Sequence, residues 1–96
     1  MPALKPSVKS DAIVSEIRNC LESKFPLSAQ IGNEVAVERY SRFSIKVTVV
    51  SDRYEGKSEA ERELITMKAL KPIGKDAMSE IATLLMITPD EVENEW

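Results

Sequence analysis

Ninety-six residues, 43% of them hydrophobic and 30% charged, describe one ordinary soluble globular domain. A chain of this length buries only about 60 to 70% of the surface its unfolded form exposes, enough for one modest core. A formal charge of −3 and a pI near 5.0 supply no overall positive field for nucleic acid or an anionic membrane, and no apolar run approaches the roughly 20 residues that span a bilayer.

Cys20 is the sole cysteine, which excludes an internal disulfide and fits a reducing compartment, so a cytoplasmic location is expected. The first ten residues, MPALKPSVKS, lack the apolar stretch of a signal peptide. They are expected to form a flexible arm, with one domain over 11–96.

Ser10 or Asp11 is a suitable N-cap for a first helix over 11–25. Ile13, Ile17, Cys20, Leu21 and Lys24 recur at helical spacing, and Pro26 stops the helix. Cys20 lies beside the apolar stripe with no neighbouring imidazole or second thiol, which predicts a small buried or half-buried hydrophobe rather than a reactive group.

From Glu34 to Ser51 the period changes to two. Val35 and Val37 alternate with Glu34, Ala36 and Glu38, and Phe43, Ile45, Val47 and Val49 alternate with Ser44, Lys46, Thr48 and Val50. Two strands facing one core are predicted, joined through Tyr40–Arg42 as an antiparallel hairpin without an Asn-Gly signal.

Ser58 and Glu61 form a capping box ahead of helix formers from Glu59 to Leu70, and Pro72 ends the run. Ala60, Leu64, Met67 and Leu70 share a face expected to meet the core. Gly74 permits a turn before a short helix over Lys75–Glu80, and Ile81–Ile87 reads as a mostly buried strand. A second box, Thr88 with Glu91, and Pro89 at the first helical position open a terminal helix that places Val92 and Trp96 on one side. The order α-β-β-α-α-β-α predicts an α+β fold. Strands over Glu34–Tyr40, Phe43–Ser51 and Thr83–Ile87 would form one three-stranded sheet with helices on one face.

The chain has no histidine, so Cys/His zinc sites, Ser-His-Asp triads and Cys-His pairs are excluded. Gly32, Gly56 and Gly74 are too far apart for a P-loop, a dinucleotide fingerprint or a GXXG clamp. Asp90, Glu91, Glu93 and Glu95 have no ligand-like spacing and read as a solvated acidic tail. No catalytic residue, metal ligand or cofactor is expected. The informative stretch is SDRYEGKSEAER, residues 51–62, which leaves a strand, turns through Gly56 and enters the capped helix.

The run VTVVSDRYEGKSEAER resembles the signature of the BolA family, with Val47, Val49, Ser51, Tyr54, Gly56, Lys57, Ser58 and Arg62 at matching positions. LLMITPDE, residues 84–91, is similar to that family's closing strand and its exit, and the likeness extends over about residues 11–91. The resemblance implies a KH-like fold without a GXXG loop. It also implies partnership with monothiol glutaredoxins and roles in iron-sulfur trafficking, stress response or transcriptional regulation.

Three departures bear on cluster chemistry. Glu63 stands where the family usually has a histidine, no imidazole occurs around Glu80–Ala82, and the loop between the first two strands is cut to about Tyr40–Arg42. Imidazole and thiolate are the side chains that ligate such iron, so no cluster ligation by this chain is expected.

The first functional expectation is therefore a non-enzymatic interaction module, a monomer or weak dimer. Its partner surface comprises Ser51, Asp52, Arg53, Tyr54, Gly56, Lys57, Ser58 and Arg62. The second is a nucleic-acid-binding regulator in which Arg39, Arg42, Lys46, Arg53, Lys57 and Arg62 contact phosphates from one face. An enzyme using carboxylates alone has the least support.

Overall fold

The structure, a computed structural model, describes residues 7–95. The first helix, α1, spans Ser7–Lys24 and so begins ahead of the expected Ser10 or Asp11 cap. Ser7–Ser10, expected in a flexible arm, are its first turn, and residues 1–6 lie outside the described residues. No proline follows Pro6 until Pro26, so nothing in the sequence stops the helix from extending backward. Phe25 N–H still bonds to Leu21 C=O at 2.7 Å, and Ile17, Leu21 and Phe25 are buried.

Two strands follow, β1 (Glu34–Ser41) and β2 (Ser44–Val50), and a third, β3 (Ile81–Ile87), closes the sheet in the order β1-β2-β3. β1 and β2 are antiparallel, and β2 and β3 are parallel. The register aligns Val37, Val47 and Leu84 across the three strands, and beside them Val35, Val49 and Met86. These residues meet the core, with Val47 and Val49 fully enclosed. On the other face Ala36, Thr48 and Leu85 align half-exposed, so the helices cover one side only.

Phe43 departs from the expected apolar row. Ser41 pairs with Ser44, which leaves Arg42 and Phe43 as a two-residue turn beyond the sheet, and Phe43 is 71% exposed. Neither turn residue has a positive φ, consistent with the missing Asn-Gly signal. The Arg39 side chain braces the turn instead, donating from Nη1 to the carbonyls of Ser41 (3.1 Å) and Arg42 (2.7 Å).

α2 spans Glu59–Ala69, and its capping box forms as the spacing predicts: Glu61 N–H donates to Ser58 Oγ, and Ser58 N–H to Glu61 Oε1. The helix is nevertheless rotated from the expected face. Leu70, just past its end, is buried, but Ala60, Leu64 and Met67 are exposed, Leu64 by 66%. Thr66 and Ala69 point inward in their place. A buried hydrogen bond between Tyr54 and Thr66 fixes this orientation, because a phenol inside the core must find a polar partner.

α3 (Lys75–Glu80) leads into β3, whose strand character agrees with the sequence but whose burial does not. As an edge strand it is shielded on one side only, and within it Ile87 alone is buried. α4 spans Pro89–Glu95; Trp96, expected beside Val92, lies outside the described residues. Thr88 and Glu91 form the second reciprocal box at its start.

Candidate partner-binding site

The segment 51–62 is a polar connection locked at almost every residue. Ser51 is buried; its N–H donates to Ile87 C=O at 2.9 Å, and its Oγ accepts from Arg53 N–H at 3.0 Å, capping a 3-10 turn over Asp52–Tyr54. Asp52 and Asn33 exchange two bonds. Asn33 Nδ2 donates to Asp52 Oδ1 at 3.0 Å, and Asp52 N–H donates to Asn33 Oδ1 at 3.1 Å.

Arg53 lies with its guanidinium 4.7 Å from the centre of the Phe25 ring and donates from Nη1 to Lys24 C=O at 2.8 Å, where the negative end of α1 favours a cation. Tyr54 is fully buried against Phe25, with ring centroids 5.5 Å apart. Because the Thr66 hydroxyl donates to Arg62 C=O, the phenol is left to donate to Thr66 Oγ1, and burial pushes its ionisation upward. Gly56 turns the chain with φ +73°, a left-handed conformation that a Cβ resists.

Arg62 joins four parts of the fold. Its Nε donates to Lys57 C=O (3.1 Å), Nη1 donates to Met86 C=O (3.0 Å), and Nη1 and Nη2 form a fork with the two Glu91 oxygens at 2.7 and 2.9 Å. Its guanidinium also sits 5.8 Å from the centre of the Tyr54 ring. The fork and the Thr88 N–H hold the Glu91 carboxyl at about 2, well below the usual carboxylate range, and Glu91 in turn raises the Arg62 value.

The eight candidate residues are thus contiguous but not equivalent. Asp52, Arg53, Gly56, Lys57 and Ser58 face solvent; Ser51 and Tyr54 belong to the interior, and Arg62 is half-buried in structural bonds. Beside them a groove of about 410 Å³ is lined by Lys57, Glu59, Arg62, Leu84–Ile87 and Glu91. Sequence reasoning placed Glu91 in its capping box but missed its fork with Arg62, since no local pattern relates residues 29 positions apart. Asn33 was likewise missed.

The cations grouped for a phosphate-binding face divide between the two ends of the sheet. Arg39 and Arg42 sit at the hairpin, with Arg39 Nη2 2.8 Å from Glu80 Oε1, whereas Arg53, Lys57 and Arg62 follow the far end of β2. Six steps of about 3.3 Å separate the ends of that strand, roughly 20 Å. Cys20 is half-buried, as predicted, and its thiol donates to Ala69 C=O at 3.0 Å, with burial raising its pKa. Among the described residues, no three of His, Cys, Asp or Glu converge as a metal site, and no helix is long and apolar enough to cross a membrane.

The comparisons with known proteins give the fold its class. Among solved structures, the chain is similar to BolA1 from Arabidopsis thaliana, with a TM-score of 0.62 and 19% identity over 82% of this chain and 94% of that one. It is also similar to a bol-like protein from Babesia bovis, with a TM-score of 0.53 and 21% identity over 85% and 91%. The fold is therefore BolA-like: a small α+β unit with a three-stranded mixed sheet and four helices. No family model matches the chain, and no curated protein sequence matches it.

Proposed function

We propose that this protein is a non-enzymatic BolA-type interaction module acting in the cytoplasm. In this reading it binds a monothiol glutaredoxin in iron-sulfur or redox regulation and contributes no cluster ligand of its own. The observation that carries the reading is a BolA-like fold whose polar connection is fully built while soft ligands are lacking. The chain has no histidine, and the sole thiol is turned inward to Ala69 C=O, so the residues present do not fit an iron-sulfur ligand set. Exposed Asp52, Arg53, Lys57 and Ser58, of which Lys57 also lines the groove along β3, provide the contact surface.

Nucleic-acid binding has weaker support, because Arg39, Arg53 and Arg62 are spent on internal hydrogen bonds and the cations do not share one end of the molecule.

The test is reconstitution with iron and sulfide, alone and with a monothiol glutaredoxin, followed by visible absorption and circular dichroism. The expected result is measurable binding with a spectrum identical to the glutaredoxin's own, weakened several-fold by Lys57→Glu. A new heterocomplex spectrum abolished by Cys20→Ser would overturn the ligand-free reading, and no binding would overturn the partnership.

A further inference from the structure

α1 closes at Lys24 and α2 at Ala69, and both residues line a cavity of about 290 Å³ together with Arg53, Ile65 and Lys68. Three cations from three separate elements therefore meet at one cavity, and no carboxylate lines it. None of the three enters an ion pair among the described residues. The carboxylates nearest them along the chain are engaged elsewhere: Asp52, beside Arg53, is bonded to Asn33, and Glu61, one turn before Ile65, is held in its capping box.

Basic residues are favourable at helix C-termini, and this accounts for part of the cluster. Each terminus carries roughly half an elementary negative charge, so the two helix ends offset about one of the three positive charges and leave an excess of about two. The chain as a whole is negative, with a formal charge of −3, so this excess is a local feature.

Arg53 is also preset. Its Nη1 is fixed on Lys24 C=O at 2.8 Å and its guanidinium lies 4.7 Å from the centre of the Phe25 ring. Nε and Nη2 have no hydrogen bond among the described residues, and an N–H pair of this kind is what an arginine uses to grip two oxygens of a phosphate. Lys24 and Lys68, both exposed, add point charges, while half-buried Ile65 and buried Ala69 form a short apolar wall.

We propose that this cavity binds a phosphate dianion, free or carried by a small monoester. The charge of the dianion matches the local excess, and its oxygens suffice for the Arg53 fork and both ammonium groups at once. The volume falls at the foot of the range for small-molecule sites, which suits a phosphate with a few carbons against Ile65 rather than a nucleotide. Exposed lysines are screened by salt, so the dissociation constant is on the order of 1 mM. The site is distinct from the partner surface, since Lys24, Ile65, Lys68 and Ala69 lie outside residues 51–62.

Amide and arginine Nε NMR spectra of the full chain, titrated at constant ionic strength with inorganic phosphate, with glycerol 3-phosphate and with glycerol, test it. Both phosphates should shift the Lys24, Arg53 and Ile65–Ala69 signals to saturation, and glycerol should not. Tighter binding of glycerol 3-phosphate would identify an ester and equal affinity the free ion, either result supporting the site. Lys24→Gln with Lys68→Gln, both at exposed positions, should weaken binding at least about tenfold with an unaltered Tm, whereas Arg42→Gln at the hairpin should leave it intact. Shifts that never saturate, affinity that survives the double substitution, or equal shifts with glycerol would overturn the proposal.

Discussion

Gly56 and Cys20 are single positions whose environment sets an expected outcome. A Cβ placed on Gly56 meets nothing within 4 Å, so the cost of replacing it comes from its φ of +73° alone. Gly56→Ala should then destabilise by about 1 kcal/mol, lowering Tm by roughly 4 to 8 °C, and β-branched Gly56→Val should cost more. Thermal unfolding of both checks the order; equal Tm values for all three proteins would show that the turn needs no glycine. Cys20 is governed by burial and by its bond to Ala69 C=O, both of which keep it a thiol. Its alkylation by iodoacetamide at pH 7.5 should be at least tenfold slower in the native protein than in urea, with an unperturbed rate marking the opposite result.

Among the elements, the Arg62–Glu91 fork that fastens α4 to α2 and β3 makes stability depend on acid. The Glu91 carboxyl titrates at about 2 in the folded chain against 4.5 ordinarily, so its contribution is complete above 4.5 and is lost as pH falls toward 2. Glu61, bound into the first capping box, shifts in the same direction. Glu91→Gln should flatten the decline in urea midpoint between pH 4.5 and 2 without removing it, since Glu61 remains; an unchanged slope would mean the fork contributes nothing. Ser58→Ala, which removes an N-cap acceptor, should cost about 1 kcal/mol.

The elements were legible wherever chemistry is local. Both capping boxes, the period-two run around Val47 and the stop before Pro26 each depend on residues within a few positions of one another, and each element appears where those signals put it. What could not be read is orientation. Leu64 and Met67 satisfied a helical stripe as well as Thr66 and Ala69 do, and the choice rested on Tyr54, whose buried hydroxyl needed Thr66. The candidate site was found as a segment for the same reason, while its separation into exposed Lys57 and interior Ser51, Tyr54 and Arg62 depended on Ile87, Met86 and Glu91, far along the chain.

At the scale of the whole molecule, α1 against the covered face of the sheet is the core, and Val47 lies at its centre on the middle strand. Val47→Asp would leave an unpaired charge there at a cost of several kcal/mol against a total stability of roughly 5 to 15. Circular dichroism at 25 °C should show most of the population unfolded, and a native spectrum with cooperative melting would place Val47 outside the core.

The parallel union of β2 with β3 also governs how the chain reaches this state. β1 and β2 can zip through a two-residue turn on the microsecond timescale of hairpins, but β3 must wait until the intervening residues 51–80 have folded back across the core. That closure carries the entropic cost of a long loop, which is met before the pairing returns any free energy. Throughout the delay an uncharged, apolar heptapeptide stands unpaired, and such segments are the ones that aggregate. Refolding yield should therefore fall steeply with protein concentration in wild type and recover in Thr83→Lys, making the last strand to dock the point at which folding and aggregation compete.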